Sequence, residues 1–429
     1  MKRRNFIQKA AGASAAFTIV PSHVLGFSTT SPNNKIQIGF IGVGRQGRGL
    51  MKNFVNYDEA AVVAVSDVDR LKMDLFEETY KETATKKGKT LSSITHFPTY
   101  SELLSQSDID AVVIASPDHW HAQMAVDSAK VGKDIYCEKP LSSSVEEGRA
   151  MVNAARKYDV VFQTGSMQRS WRNFRHGVEL IRNGYIGEIK AVHVCVGQPW
   201  KACELPAQPT PENIEWNAWI GPAPYRSYHR DLACPIDDDR WGMWRDYKPF
   251  GGGMITDWGA HMFDIVQWAL DRDAGGPVQF TPPNHPAEIG LTFTYDDGLT
   301  VSHSRWGKGC NEIQFIGTEG RLEVSRSYLK TFPNASLAKE DLPSTATKRV
   351  YHSENHHLDW LQAIRDRTRP ICDVEVGHRT ATVCNIANIA YDLQRPLEWN
   401  PTTEKFVDDP SANLLLGRAY RGNWDYRNF

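Results

Sequence analysis

The 429-residue chain has almost no net charge: 49 lysines and arginines stand against 51 aspartates and glutamates, a formal charge of -2. So even a balance supplies no basic field for a nucleic acid or an anionic membrane surface, which excludes partners held by bulk electrostatics. Cysteine is scarce as well. The seven, at 137, 195, 203, 234, 310, 372 and 384, are odd in number and contain no Cys-x-x-Cys pair. Neither a zinc site nor a disulfide framework is indicated, so no metal is expected, although an exported protein could form one bridge. Beyond the amino terminus no apolar run approaches the roughly 20 residues that cross a bilayer. What remains is a soluble, globular composition, and the roughly 400 residues after the terminus are more than one ordinary domain needs.

At the amino terminus Lys2-Arg3-Arg4-Asn5-Phe6-Ile7 pairs two arginines with following apolar residues, and Ala10 to Val20 is a short apolar run of small residues. That is the outline of a twin-arginine export signal, too short to span a membrane, with Gly26 as a small residue before a cleavage point. A basic tail without structure is the competing reading. Residues 1–30 are set aside as signal and linker, and the protein is expected in the periplasm.

Residues 36–47 read Ile-Gln-Ile-Gly-Phe-Ile-Gly-Val-Gly-Arg-Gln-Gly, an apolar strand running into Gly42, Gly44 and Gly47. In a dinucleotide-binding turn the first glycine makes the bend, the second lets backbone approach a pyrophosphate, and the third lets the next helix pack on the strand. A second strand, Ala61 to Ser66, ends at Asp67, where a carboxylate can accept from the adenine ribose hydroxyls. Asp67 and Asp69 would repel a 2′-phosphate, favouring NAD over NADP, while Arg70 leaves the point open. Arg45 and Gln46 complete the turn.

Alternating strand and helix patterns continue to about residue 165: Ser101 to Ser105 helical, Ile109 to Ala115 a buried strand, His121 to Gly132 a helix, Lys133 to Glu138 a strand, Val145 to Tyr158 a helix, Val160 to Gly165 a strand. Repeated units of this kind imply an α/β fold with a doubly wound parallel sheet over residues 35–165. After about residue 186 the strands lengthen and alternate, at Ile189 to Val196, Ile289 to Tyr295, Leu299 to Ser304 and Glu312 to Ile316, with a hairpin at Asp296-Asp297-Gly298. Residues 166–429 are therefore expected to form an α+β domain on a mostly antiparallel open sheet. Trp200 to Pro249 is long, aperiodic and aromatic; it reads either as a sugar-facing loop or as a loop packing its own tryptophans.

Two clusters carry chemistry. Glu138-Lys139-Pro140 puts a lysine at the carboxyl end of a parallel strand, the edge where open α/β sheets bind ligands, and its X-Pro bond tolerates the cis isomer. After Gly251-Gly252-Gly253, Asp257 and His261 stand four apart, so a helix would place them on one face with Asp264 a turn further on. Oxidising an alcohol by hydride loss needs a base for the hydroxyl proton, and histidine titrates nearest neutrality. A helix-face histidine bonded to a carboxylate is the structural alternative.

Together with Ser116-Pro117-Asp118-His119-Trp120-His121, these motifs resemble the glucose-fructose oxidoreductase, inositol dehydrogenase and MocA group, written Gfo/Idh/MocA, over about residues 36–425. The resemblance implies a catalytic set of Lys139, Asp257 and His261, with His261 the proton acceptor, Asp257 its electrostatic partner and Lys139 a hydroxyl ligand and relay. It implies that Ser116, His121 and Glu138 line the nicotinamide end, that the second domain's sheet forms homodimers or homotetramers, and that the substrate is a sugar or cyclitol. Position 118 is Asp where the family often has Asn. His356-His357-Leu358-Asp359-Trp360 and Gly377-His378-Arg379 resemble an extension of exported members and read as structural, His378 and Arg379 starting a helix that runs to Leu393.

Trp171, Arg172, Arg240, Trp244, Asp246 and Tyr247 fit a polyhydroxylated ligand. The leading expectation is oxidation of a ring hydroxyl; the alternative is a glycosidase that oxidises its sugar transiently with bound NAD and eliminates the aglycone. The branch known to do so carries Tyr-Pro-Thr-His where this chain reads Asp-Trp-Gly-Ala-His. A sugar-binding protein with a vestigial cofactor site is a third reading, opposed by intact Lys139, Asp257 and His261.

Overall fold

Parallel strands buried on both faces need helices on both sides, and the amino-terminal half is built that way. The computed structural model describes residues 35–238, 240–285, 289–306 and 309–429; the twin-arginine segment lies outside them. Strands β1 (Ile36–Ile41), β2 (Ala60–Ser66), β3 (Thr95–Phe97), β4 (Ala111–Ile114), β5 (Asp134–Cys137) and β6 (Phe162–Thr164) form a six-stranded sheet in the order β3-β2-β1-β4-β5-β6. Every pairing is parallel. The order reverses beside β1, so the carboxyl ends of β1 and β4 open the crevice in which such sheets bind ligands. Helices His121–Lys130 and Val145–Lys157 pack one face, Arg45–Phe54 and Arg70–Lys86 the other.

The second sheet comprises β7 (Ile189–Cys195), β8 (Gln279–Thr281), β9 (Thr292–Thr294), β10 (Thr300–His303), β11 (Glu312–Gly317), β12 (Arg321–Ser325), β13 (Leu329–Phe332), β14 (Leu397–Asn400) and β15 (Lys405–Phe406). Its order is β13-β12-β11-β7-β10-β9-β8-β14-β15, antiparallel throughout except where β10 lies parallel to β7. One face buries Val192, Val194, Phe293 and Phe315 against Phe263 and Ile386 of the helices Gly259–Ala269 and Val374–Leu393.

A cut at residue 165 separates the two sheets but not the two cores. Trp360 and Leu361, on the helix His356–Asp366, pack with Phe40 and Phe54 of the first sheet's core, and Tyr426, near the carboxy terminus, joins the opposite face. The Trp200 to Pro249 segment buries Trp216, Trp219, Tyr228, Tyr247 and Phe250 in a cluster of its own. Trp216 and Trp219 stack there with ring centroids 4.7 Å apart. It is the loop that packs its own tryptophans.

The Lys139–Pro140 bond is cis. All seven cysteines are free, with the Cys195 and Cys310 sulfurs 3.3 Å apart. Among the described residues no helix is long and apolar enough to cross a membrane, and no cluster of His, Cys, Asp and Glu could hold a metal ion.

Candidate active site

Gly42 has φ +82°, and a Cβ there would stand 2.5 Å from the Ser116 backbone nitrogen, so the turn between β1 and the next helix admits only glycine. At Gly44 a Cβ would meet nothing within 4 Å. That open side is where backbone can approach a ligand. Gly44 is also the N-cap of Arg45–Phe54 and provides no side-chain cap, leaving the first N–H groups of the helix to an anion such as a pyrophosphate. A cavity of about 350 Å³ lies over the turn, lined by Gly42, Gly44, Arg45, Gln46, Asp67 and Ser116. The residues present therefore fit a dinucleotide.

Asp67 Oδ2 accepts from Val43 N at 2.8 Å and Oδ1 from Asp69 N at 3.0 Å, tying the end of β2 to the glycine turn. Burial raises its pKa, while Lys72 and these backbone donors work the other way. Asp69, expected to share in cofactor choice, has a structural task instead. It caps the helix Arg70–Lys86 through Leu71 N and accepts from Asn213 Nδ2 at 2.7 Å. His121 lies behind the cavity wall, with Nδ1 2.9 Å from Pro140 O and Nε2 3.0 Å from Ser116 O. It sits between the Ser116 and Lys139–Pro140 turns, and burial lowers its pKa to about 4, so the ring is neutral and its one N–H donates to one of these two carbonyls.

The remaining expected groups converge beyond the end of that cavity. Gln46, in its wall, donates to Glu138 Oε1 at 2.9 Å. The adjacent Lys139 Nζ donates to Asp257 Oδ1 at 2.7 Å and to Asp257 O at 3.0 Å. Two of the three ammonium donors are thus engaged, and one is left for a substrate oxygen. Burial would raise the Asp257 pKa, but Lys139 and Arg245 together hold it below the usual carboxylate value. Arg245 Nε stands 3.6 Å from the same Oδ1. His261 is buried, and burial, followed by the charges of Lys139 and Arg326, pushes its pKa well below 6.5. Its Nδ1 is buried with no hydrogen-bond partner among the described residues. Asp118 is buried too, and desolvation drives its carboxyl pKa well above the usual value.

Asp257 and His261 are not on one uninterrupted helix. A short helix Met254–Asp257 ends at Trp258, and Gly259–Ala269 begins a second. Asp264 turns away from the site and pairs with Arg169 through two bonds of 2.8 Å. Of the residues expected to touch a sugar, Trp171 lies beside Arg326, 5.3 Å from the guanidinium to the ring centre. The others are elsewhere. Arg172 sits on the surface with Asp341 and the Lys339 carbonyl, and Tyr247 is buried in the loop's own core. Arg240 and Trp244 line the nucleotide cavity, where Arg240 pairs with Asp238 and Asp231.

The aromatic loop thus serves the cofactor side: Trp241 lies 4.7 Å from the Arg45 guanidinium and 4.9 Å from that of Arg245. Sequence reasoning passed over Arg245, Arg326 and Gln168, and also Trp424, which reaches the cavity from the carboxy-terminal tail. No spacing signalled them, because each comes from an element remote in sequence. The histidines read as structural are so: His356 Nε2 bonds Thr164 O at 3.0 Å, His357 stacks on Tyr136, and His378 bonds Glu404 at 2.7 Å.

Two family models match. One, described as an oxidoreductase family with an NAD-binding Rossmann fold, covers residues 36–166; the other, the oxidoreductase family's C-terminal alpha/beta domain, covers 179–426. An uncharacterized oxidoreductase, YrbE, of Bacillus subtilis is 25% identical over 85% of this chain and 96% of its own length. A myo-inositol 2-dehydrogenase of Thermotoga maritima is 32% identical over 38% of this chain and 46% of its own. A glycosyl hydrolase family 109 protein of Shewanella woodyi is 30% identical over 36% of this chain and 32% of its own. In fold, the WlbA dehydrogenase of Bordetella pertussis, solved with NADH and UDP-GlcNAcA, superposes with TM-score 0.60 at 17% identity, over 85% of this chain and 99% of that one.

Proposed function

The chain belongs to the Gfo/Idh/MocA oxidoreductase family, with its NAD-binding Rossmann domain, and from that premise we propose that it oxidises or reduces a ring hydroxyl or keto group of a sugar, glycoside or cyclitol. The observation that carries this is the Lys139–Asp257 pair, near enough to the buried, neutral His261 for the lysine's charge to be felt there and joined to the nucleotide cavity by Arg245, which lines the cavity and stands 3.6 Å from Asp257 Oδ1. The catalytic roles belong to the proposal. Bound NAD supplies the hydride acceptor; the turn residues Gly42, Gly44, Gln46 and Gly47, with Asp67, would hold it. The free N–H of Lys139 orients the reacting hydroxyl and stabilises charge developing on its oxygen. Nε2 of His261 takes the hydroxyl proton, and Asp257 offsets the imidazolium charge that results. In the reducing direction the same nitrogen returns the proton.

Export to the periplasm and assembly as a homodimer or homotetramer through the second sheet belong to this proposal too. The partial likeness to a glycosyl hydrolase family 109 protein keeps one alternative open, NAD-dependent glycoside cleavage, which the Asp257-Trp-Gly-Ala-His261 sequence opposes. Incubation of purified protein with glycosides, inositols and free sugars, followed by product mass, separates the two. Loss of two hydrogens with formation of NADH supports the dehydrogenase, and aglycone release without net cofactor change overturns it.

A further inference from the structure

Lys139 and Arg245 share Asp257, but a third cation beside the site has no such partner. Arg326 follows β12, and among the described residues no carboxylate lies within ion-pairing distance of it; Asp257 and Glu138 are near enough only for their charge to be felt. Its Nε donates to Gln168 Oε1 at 2.8 Å, and the Gln168 amide reaches the His261 carbonyl at 3.4 Å. The guanidinium lies 4.4 Å from the ring centre of Trp258, whose ring is in turn 5.7 Å from that of His261. Arg326 is exposed on its outer side, and the terminal nitrogens make no hydrogen bond among the described residues. A guanidinium fixed at Nε and backed by an indole presents a planar two-pronged donor, the shape that a carboxylate fits.

Resting on the sugar-oxidoreductase reading, we propose that the substrate is a sugar acid and that Arg326 is its carboxylate-binding, specificity-determining residue. The two coplanar oxygens of a carboxylate match the two free prongs of the guanidinium. The ring then lies between Arg326 and the Lys139–His261 pair, its reacting hydroxyl toward His261.

Binding to the NADH-loaded protein, read by tryptophan fluorescence and calorimetry, tests this with glucuronate, galacturonate, the neutral sugars glucose and galactose, and glucose 6-phosphate. Uronates are expected to bind about 10-fold or more tightly than neutral sugars, the scale of a charge-assisted hydrogen bond. Arg326→Met should abolish that difference while Arg326→Lys keeps part of it, with NADH content unchanged in both. Equal binding of acidic and neutral sugars, preference for the phosphate, no binding of any uronate, or equal losses for acidic and neutral ligands in Arg326→Met would overturn the proposal. Neutral sugars oxidised as fast as uronates would also overturn it and leave the sugar-oxidoreductase reading standing. Uronates bound through Arg326 but never oxidised would overturn that reading and leave the carboxylate site.

Discussion

His261 has its pKa held well below 6.5 by burial and then by Lys139 and Arg326, so it is unprotonated at neutral pH and ready to accept a proton. His261→Asn is expected to slow turnover by about 10²-fold or more, the scale of general-base catalysis, with NAD content unchanged. In the unsubstituted enzyme the rate should stay flat from pH 7 down through 6, where an ordinary histidine would already be charging. A rate that halves near pH 6.5, or a His261→Asn variant with full turnover, would rule out this assignment. The Lys139–Asp257 pair and the glycine turn were legible in the sequence because each belongs to a short motif at a strand or helix end. Arg240, Trp244 and Tyr247 were misplaced for the opposite reason. An aromatic, arginine-rich loop has the same composition whether it faces a sugar, a nucleotide or its own core, and here it packs its own core and walls the nucleotide cavity.

The carboxy-terminal tail is the element whose role sequence periodicity could not reveal. Tyr426 is 1% exposed in the first domain's core, packed against Tyr420 with ring centroids 4.8 Å apart. Tyr426→Ala should lower unfolding stability by about 3 kcal/mol, as large aromatic truncations in cores do, measured by denaturant titration. A loss under about 1 kcal/mol would show the tail to be loosely docked. Strands such as Ala111–Ile114, buried at every position, are short apolar runs that only a covered parallel sheet explains, and they were readable. The helix Arg70–Lys86 was not read. It buries only Met73, Phe76, Tyr80 and Ala84 among charged and threonine residues, so its apolar stripe is thin. The helix foreseen from His378 to Leu393 starts earlier, at Val374, because the Asp373 side chain caps Glu375 N. Strands β8 and β15, of three and two residues, are too short for alternation to register.

At the scale of the molecule, the two sheets share a set of buried neutral histidines. Burial lowers the pKa of His119 and His356 to about 3 and of His121, His303 and His357 to about 4. A histidine with a depressed folded pKa contributes its full stability above the unfolded value near 6.5 and loses it as pH falls toward the folded value. Each should lose about 1.4 kcal/mol per pH unit over that window. Asp118, whose carboxyl is raised by burial, takes up a proton in the folded protein and offsets part of this. The denaturant midpoint should therefore drop markedly between pH 7 and pH 5, and equal midpoints would contradict the neutral-histidine assignment. The nucleotide cavity is lined by segments from three parts of the chain, with Trp241 across Arg45 and Trp424 from the tail. Extensive dialysis should leave NAD bound, and Trp241→Ala should release it faster; empty wild-type protein would show that the loop does not retain the cofactor. The export proposed above would require that retention, since a compartment without an NAD pool allows no exchange.

In the proposed reaction a sugar carbon gives its hydrogen directly to NAD held in this cavity while His261 takes the hydroxyl proton. Mixing NAD-loaded protein with sugars deuterated at the ring carbons, then extracting the nucleotide for mass spectrometry, follows that hydrogen. One deuterium on the reduced nicotinamide is expected, with a keto-sugar product in equal amount and a rate about 10²-fold lower in His261→Asn. Deuterium lost to solvent or retained in a product that has shed its aglycone would contradict it.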